Sequence, residues 1–316
     1  MAFTFLVKGF GGYCLINDIH TFMTSYSLTK QQNWIKSQGI TGRHYSTSAF
    51  KKLQDKMVRD YPMFDLKISF DLTKSLLSAF ISAIVNNGNH GDESPFSIDI
   101  HESNYNYSYT FSEARLTSFS FSVSEGGLAK GSASFLILQE DFEVDDLYYS
   151  SLSGEGGGSE FINYSDDEKE LMAYWGVGAS FGKYGNYCTD ISFDWSQSYD
   201  IKFLLRNQKG ESGENEKDSD IDEDEEKKAP DPYRVLWHVP TAKFSLTMLY
   251  NDFSNSNGDE GDNGLENQDF EIKYAGNTVF KCTECYAESI TPLIGEKDNY
   301  LGYTISGFVN GEITES

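Results

Sequence analysis

Proline is scarce in this chain of 316 residues, with six in all, and cysteine (four) and histidine (five) are scarcer still. Four cysteines over such a length do not make a disulfide framework, so the thiols are expected to be reduced. His20, His44, His90, His101 and His238 are scattered, and none falls into a Ser, His and acid arrangement. Long apolar runs are also missing: the best, Leu76 to Val85, is about half of the roughly 20 residues that a membrane span needs. At the N-terminus Lys8 interrupts a short apolar run and no small-residue cleavage site follows, so no signal peptide is expected and the chain is made soluble in a cytoplasm.

Positive charge is the other shortage. The formal net charge is −24, and Glu211 to Glu226 alone carries ten acids against Lys217, leaving −15 for the rest of the chain. So acidic a chain repels nucleic acid unless a local basic face overrides the total. No basic face with interleaved aromatics is visible, which argues against sequence-specific DNA binding.

What the chain does have is aromatics, 15% of residues, placed in alternating runs. The stretch from Phe96 to Leu138 is the clearest case. Phe119, Phe121 and Val123 alternate with Ser118, Ser120, Ser122 and Ser124, so one strand face would be apolar and the other covered by small hydroxyls. Gly126 and Gly127 supply the positive-φ residues for a reversal, and an antiparallel meander is expected. Ahead of it, Phe64 to Leu72 alternates as a strand, and Leu76, Leu77, Phe80, Ile81, Ile84 and Val85 recur at helical spacing. Such a helix must lay its apolar side on a sheet.

The chain also matches itself. Tyr13-Cys14 recurs at Tyr187-Cys188, Phe70-Asp-Leu-Thr73 at Phe244-Ser-Leu-Thr247, and Phe96-Ser-Ile98 at Phe270-Glu-Ile272, each at an offset of 174. Three collinear matches at one offset argue for a duplicated domain. The reading is a first domain over 1–140, a Gly-rich linker over 141–165 centred on Gly154 to Ser159, and a second domain over 166–316. Ser165 and Glu168 form a candidate capping box for a short helix towards Tyr174. The second domain carries acidic insertions at 209–232 and 252–269, and its meander is Phe270 to Tyr274, Thr278 to Ile290 and Tyr300 to Val309. It has no obvious equivalent of the Leu76 to Val85 helix. Where the first copy carries Arg43, Lys51, Lys52, Lys56 and Arg59 against one acid, the second has the acidic run, so equivalent loops bear opposite charge.

Three motifs carry candidate chemistry. Cys282 and Cys285 have the CxxC spacing of a zinc or redox site, but no second CxxC or His pair accompanies them, and they read as buried strand or bulge cysteines. Asn255, Asn257, Asp259 and Glu266 occupy calcium-loop positions, yet Glu260 stands where that loop needs Gly and flanking helices are missing, so a solvated loop is expected. The Glu211 to Glu226 run reads as a solvated loop, its functional alternative being contact with a basic loop on a stacked neighbour. No metal, cofactor or active site is assigned, and a non-enzyme is expected.

In pattern and order, Leu66-Lys-Ile-Ser-Phe-Asp-Leu72, the Ser75 to Val85 helix and the Ser124 to Phe135 meander resemble the tail tube proteins of tailed bacteriophages. The resemblance covers most of both copies and implies a mainly β protein: two tandem tail-tube-like β-sandwiches or barrels, each flanked by a helix, the second weaker. Sheets in that family join side by side into rings whose inner wall is a continuous barrel, and double-domain subunits give trimeric, pseudo-sixfold rings. The implied function is a structural virion protein, a tube subunit stacked into the conduit for DNA ejection. Its partners would be itself, other tail proteins and double-stranded DNA passing without specific binding, with no membrane. Ser118, Ser120, Ser122 and Ser124 would line the lumen, which an acidic wall would keep from sticking to DNA. Arg43, Lys51, Lys52, Lys56, Arg59, Glu223, Asp224 and Glu225 would lie at subunit or ring interfaces. A tail hub or distal tail ring, and a soluble acidic β-sandwich binding calcium or carbohydrate, are the alternatives.

Overall fold

A computed structural model describes residues 3–7, 12–31, 34–35, 58–59, 63–88, 95–102, 107–138, 142–146, 171–182, 188–203, 233–249, 266–294 and 300–315. In chain order the first strands are β1 (Phe3–Val7), β2 (Gly12–Ile16), β3 (Ile19–Gln31), β4 (Trp34–Ile35), β5 (Val58–Arg59) and β6 (Met63–Asp71). Helix α1 (Lys74–Gly88) follows, then β7 (Phe96–Glu102), β8 (Tyr107–Ser124), β9 (Lys130–Leu138) and β10 (Phe142–Asp146). Beyond a 3₁₀ turn at Tyr174–Gly176 come β11 (Val177–Phe181), β12 (Cys188–Ser196), β13 (Tyr199–Phe203), β14 (Tyr233–Trp237) and β15 (Thr241–Leu249). The last strands are β16 (Gln268–Tyr274), β17 (Asn277–Ile294), β18 (Tyr300–Val309) and β19 (Ile313–Glu315).

The mainly β class is as expected, and its centre is a closed barrel. Strands β8, β7, β2, β3, β6 and β9 pair in that order, and β9 returns to β8. Alternation explains the wall: Phe64, Leu66, Ile68 and Phe70 of β6 point into the barrel and are buried, while Lys67 between them is exposed. Closure requires β8 to change partners half-way along. Its first half pairs with β7 and, over Tyr107–Phe111, with β10. From Arg115 it pairs with β9 on one edge, through a register shift between Leu116 and Ser118, and from Ser118 it pairs with β12 on the other. A bulge is the usual device for bending a strand between two sheet directions.

Helix α1 covers the barrel interior. Thr73 caps it, its hydroxyl accepting the Leu76 N–H at 3.2 Å, and Leu76, Leu77, Phe80, Ile81 and Ile84 are buried. Phe80 stands among rings from four barrel strands, with centroids 4.6 Å from Phe119, 5.1 Å from Phe96, 5.6 Å from Phe70 and 6.2 Å from Phe135. A Ser78 hydrogen bond to Glu315 ties the helix to the C-terminal strand.

The remaining strands extend the same sheet: β12 pairs with β8, and β15, β18, β17, β16 and β11 follow in order. Their core repeats the aromatic chemistry, with Phe244 at 4.8 Å from Phe270 and 5.1 Å from Phe181. Residues 1–196 and 241–316 therefore form one compact unit. Residues 197–240 form a second, described by itself: the β13–β14 ribbon, with Tyr199 edge-on to Trp237 at 5.5 Å and Gln197 Nε2 donating to the His238 carbonyl at 2.9 Å.

Three expectations change. The segment expected as linker begins with strand β10, which pairs with β8. Only Gly126 takes positive φ in the turn after it, at 74°. Helix α1 begins two residues before Leu76 and ends three after Val85. The Ser165 and Glu168 capping box, and residues 250–265 where a second helix would fall, lie outside the described residues. Among the described residues no helix is long and apolar enough to cross a membrane.

Truncating Phe80→Ala is expected to lower the unfolding free energy by about 3–5 kcal/mol in urea titrations, since it empties the ring cluster. Gly131→Ala should cost about 1–3 kcal/mol, because the added Cβ runs into the buried Phe70 ring.

Candidate functional site

The parity of eight consecutive strands creates the site. Across β3, β6, β9, β8, β12, β15, β18 and β17, alternate residues fill the core: Phe119, Phe121 and Val123 on β8, Ile191, Phe193 and Trp195 on β12, and Ala242, Phe244, Leu246 and Met248 on β15 are all buried. The residues between them face the other way, and small hydroxyls are the commonest among them. In register, Ser122, Ser192, Ser245, Ser306 and Ser289 form a row across five strands. Ser25, Ser69, Ser132 and Ser120 continue the pattern across the barrel side. A third row runs Ser124, Asp190, Thr247, Thr304 and Thr291.

Some of these hydroxyls pair with one another across the strands. Ser120 and Ser132 share a hydrogen bond of 2.7 Å, Ser289 and Ser306 another of 2.7 Å, Thr247 and Thr304 one of 3.0 Å, and Ser196 and Thr241 one of 3.1 Å. Such a face is wettable.

Its charge departs from the acidic wall expected above. The in-register positions carry Asp65, Asp71, Asp190 and Asp194 against Lys67, Lys130 and Lys243, a near balance in a chain whose total is −24. Asp71 stands opposite Lys130, and Asp194 lies between Ser120 and Lys243. Strand pairing selects for this, because unlike charges opposed across a ladder attract and like ones repel. Loss of water from the surrounding wall raises the Asp194 carboxyl above its usual range.

The four expected serines, Ser118, Ser120, Ser122 and Ser124, thus come together on this face. Ser192, Ser245, Ser289, Ser306, Thr247 and Thr304 were not singled out, although the alternation in Ile191-Ser-Phe-Asp-Trp-Ser196 carries the same signal. Arg59 belongs to β5, paired with Trp34. Arg43, Lys51, Lys52, Lys56, Glu223, Asp224 and Glu225 lie outside the described residues, as do Asn255, Asn257 and Asp259; Glu266 is exposed just before β16.

Cys282 and Cys285 are both free and buried on β17, flanking a register shift at which Glu284 takes φ 50°. Burial pushes both thiols up, Cys285 to about 12, so thiolate chemistry at neutral pH is disfavoured. Cys14 is likewise buried and raised. Among the described residues no group of three or more His, Cys, Asp and Glu could hold a metal ion. His101 stacks on Tyr13 at 4.9 Å, and His238 lies 3.3 Å from Asp200.

No family model matches the chain, and a search of curated proteins finds no significant match.

Because the folded state holds a proton on Asp194 at a higher pH than the unfolded chain does, wild type should gain stability relative to Asp194→Asn as pH falls through that raised range. At neutral pH the variant should melt at or above the wild-type temperature. Calorimetry of both from pH 7 to pH 4 checks this, and a variant that loses ground at pH 7 would show that the Lys243 pairing outweighs desolvation.

Proposed function

We propose that the chain is a double-domain tail tube subunit of a tailed bacteriophage, a structural non-enzyme of the virion, three copies of which close into a pseudo-sixfold ring that stacks into a conduit for DNA. The observation that carries this reading is a correspondence of strand order. In the first half β2, β7, β8, β9, β6 and β3 are neighbours in sequence round the barrel; in the second β11, β16, β17, β18, β15 and β12 are neighbours in the same order along an open path.

Details support the same duplication. β10 pairs with the first half of β8, and β19 with the first half of β17. The β4–β5 ribbon falls between β3 and β6, as β13–β14 falls between β12 and β15. Gly131 faces the Phe70 ring, and a Cβ at Gly307 would lie 2.8 Å from Phe244 Cζ. On this reading each copy ends just after its added strand, which moves the first boundary from 140 to 146.

The hydroxyl face supports the conduit. Four strands from each half build it, and the joint between halves is β8 on β12, seven residues long in register. The equivalent edge on the second half is β17 beyond Cys285, which among the described residues pairs only with β18. Repeating the joint between chains gives a wall of 24 strands from three chains with eight each. Barrels of about 8 strands are filled by their side chains, and serines are too small to fill one; about 16–18 strands already leave an aqueous channel. The opposite charges of the two equivalent loops, basic in the first copy and acidic in the second, would set register between stacked rings.

Electron microscopy of the purified protein over a concentration series is the test. Tubes with a water-filled axis are expected; single rings that never stack would favour the hub reading, and monomers at every concentration would defeat both.

A further inference from the structure

Resting on the tube-subunit reading, we infer that the opposed pairs Asp71–Lys130 and Asp194–Lys243 are what let duplex DNA leave the hydroxyl face. Each aspartate cancels a lysine that would otherwise hold a phosphate, so Asp71 and Asp194 are release residues.

The two halves of the wall show that these charges come in pairs. Phe70 and Phe244 correspond at the offset of 174, and each stands opposite a glycine, Gly131 and Gly307. One residue further along, Asp71 faces Lys130 in the first half and Ser245 faces Ser306 in the second. One residue back the roles exchange: Ser69 faces Ser25 in the first half, and Lys243 faces Asp194 in the second. A charged pair in either half thus has two serines as its counterpart, and neither lysine stands on the wall without its aspartate. Lys67, the remaining lysine of the face, follows Asp65 by two residues on the same side of β6.

Folding does not ask for these charges. An exposed ion pair contributes little to stability, and the other half fills the same places with serine. Their effect is directed outwards, since Lys130, Asp194 and Lys243 are exposed and Asp71 is half-buried. Nor can the acid excess elsewhere in the chain replace the two aspartates. Residues directly opposed across a ladder have Cβ atoms about 5 Å apart, inside the Debye length of about 10 Å at 0.1 M salt, whereas exposed charges beyond that length are largely screened. A phosphate passing the wall therefore meets each pair as a dipole. Bare lysines would grip it, and bare aspartates would oppose its entry. A conduit needs neither. In a ring of three chains, uncovering Lys130 and Lys243 would offer up to about six contacts to phosphates, enough to make retention fall about a thousandfold between about 50 and 200 mM salt.

Four full-length proteins test this. They are wild type; Asp71→Asn with Asp194→Asn; Asp71→Ser, Lys130→Ser, Asp194→Ser and Lys243→Ser together, which gives each charged pair the residues of its counterpart; and Asp269→Asn with Glu271→Gln. The last removes the same charge away from the wall, uncovering Lys281 and Lys273, whose ion pairs measure 2.6 and 3.2 Å. Each is mixed with a short linear duplex and with a covalently closed circle, which cannot thread a tube. Gel shift reads retention, and electron microscopy reads the particles.

The Asp71→Asn, Asp194→Asn tubes should hold the linear duplex at least tenfold more tightly than wild type at low salt, lose it steeply as salt rises, and leave the circle free. The serine variant should release DNA as wild type does, and the off-wall variant should treat the two DNAs alike. Release of the linear duplex as readily as from wild type would overturn the pairs and leave the tube reading intact. An equal gain in the off-wall variant would overturn them too, because any uncovered lysine would then suffice. A gain confined to the wall variant but equal for duplex and circle, in a chain that forms no tubes, would support the pairs and overturn the conduit.

Discussion

The rest of the structure depends on β8 having a partner on each edge of its second half. Ser118–Ser124 pairs with β12 on one side while the overlapping Arg115–Ser122 pairs with β9 on the other, so a single strand closes the barrel and carries the sheet onward. Remove the β12 pairing and the barrel could persist, but the second set of strands would lose its attachment and the hydroxyl face would stop at the barrel rim. The bulge before Ser118 makes this possible, because it turns β8 out of the β7 direction without ending it.

That geometry imposes a division of labour on side chains. Inward residues must fill a barrel and a neighbouring sheet, and the chain answers with phenylalanine: Phe70, Phe80, Phe96, Phe119, Phe121, Phe135, Phe193, Phe244, Phe270 and Phe280 are all essentially inaccessible to water. Large rings give the apolar area that stabilises so extended a sheet. Where two rings would collide with a neighbouring strand, glycine makes room, at Gly131 against Phe70 and at Gly307 against Phe244. Outward residues are mostly small and polar, and some of the serines and threonines pair with one another across strands. Charge on this face is held close to balance, so the chain's acid excess is not concentrated there.

Much of this was legible in the sequence, and what was not has one cause. Alternation at Phe119, Phe121 and Val123, helical spacing from Leu76 to Ile84 and the glycine turn at Gly126 are local signals, and each sits where its period put it. The meander Phe96 to Leu138 was readable for the same reason. The pairing of β8 with β12 joins residues about 70 positions apart and leaves no local trace. Neither does the pairing of β10 with β8, so Phe142–Asp146 passed for linker beside a glycine-rich tract. The serines of β12, β15 and β18 sat in alternating runs that were visible, but their gathering on one face followed from strand order, which periodicity does not encode.

A fused chain changes what assembly has to control. When both halves lie in one polypeptide, the β8–β12 joint forms at the high effective concentration of a linked pair and needs no guard. Only the joint between chains has edges that stay exposed during synthesis, and an exposed edge is an aggregation hazard. In the proposed ring those edges belong to β3 and β17. The second carries Pro292, which lacks the backbone donor that open-ended pairing would use. On the proposed reading the two joints therefore differ in need, because only one of them is made by collision between chains.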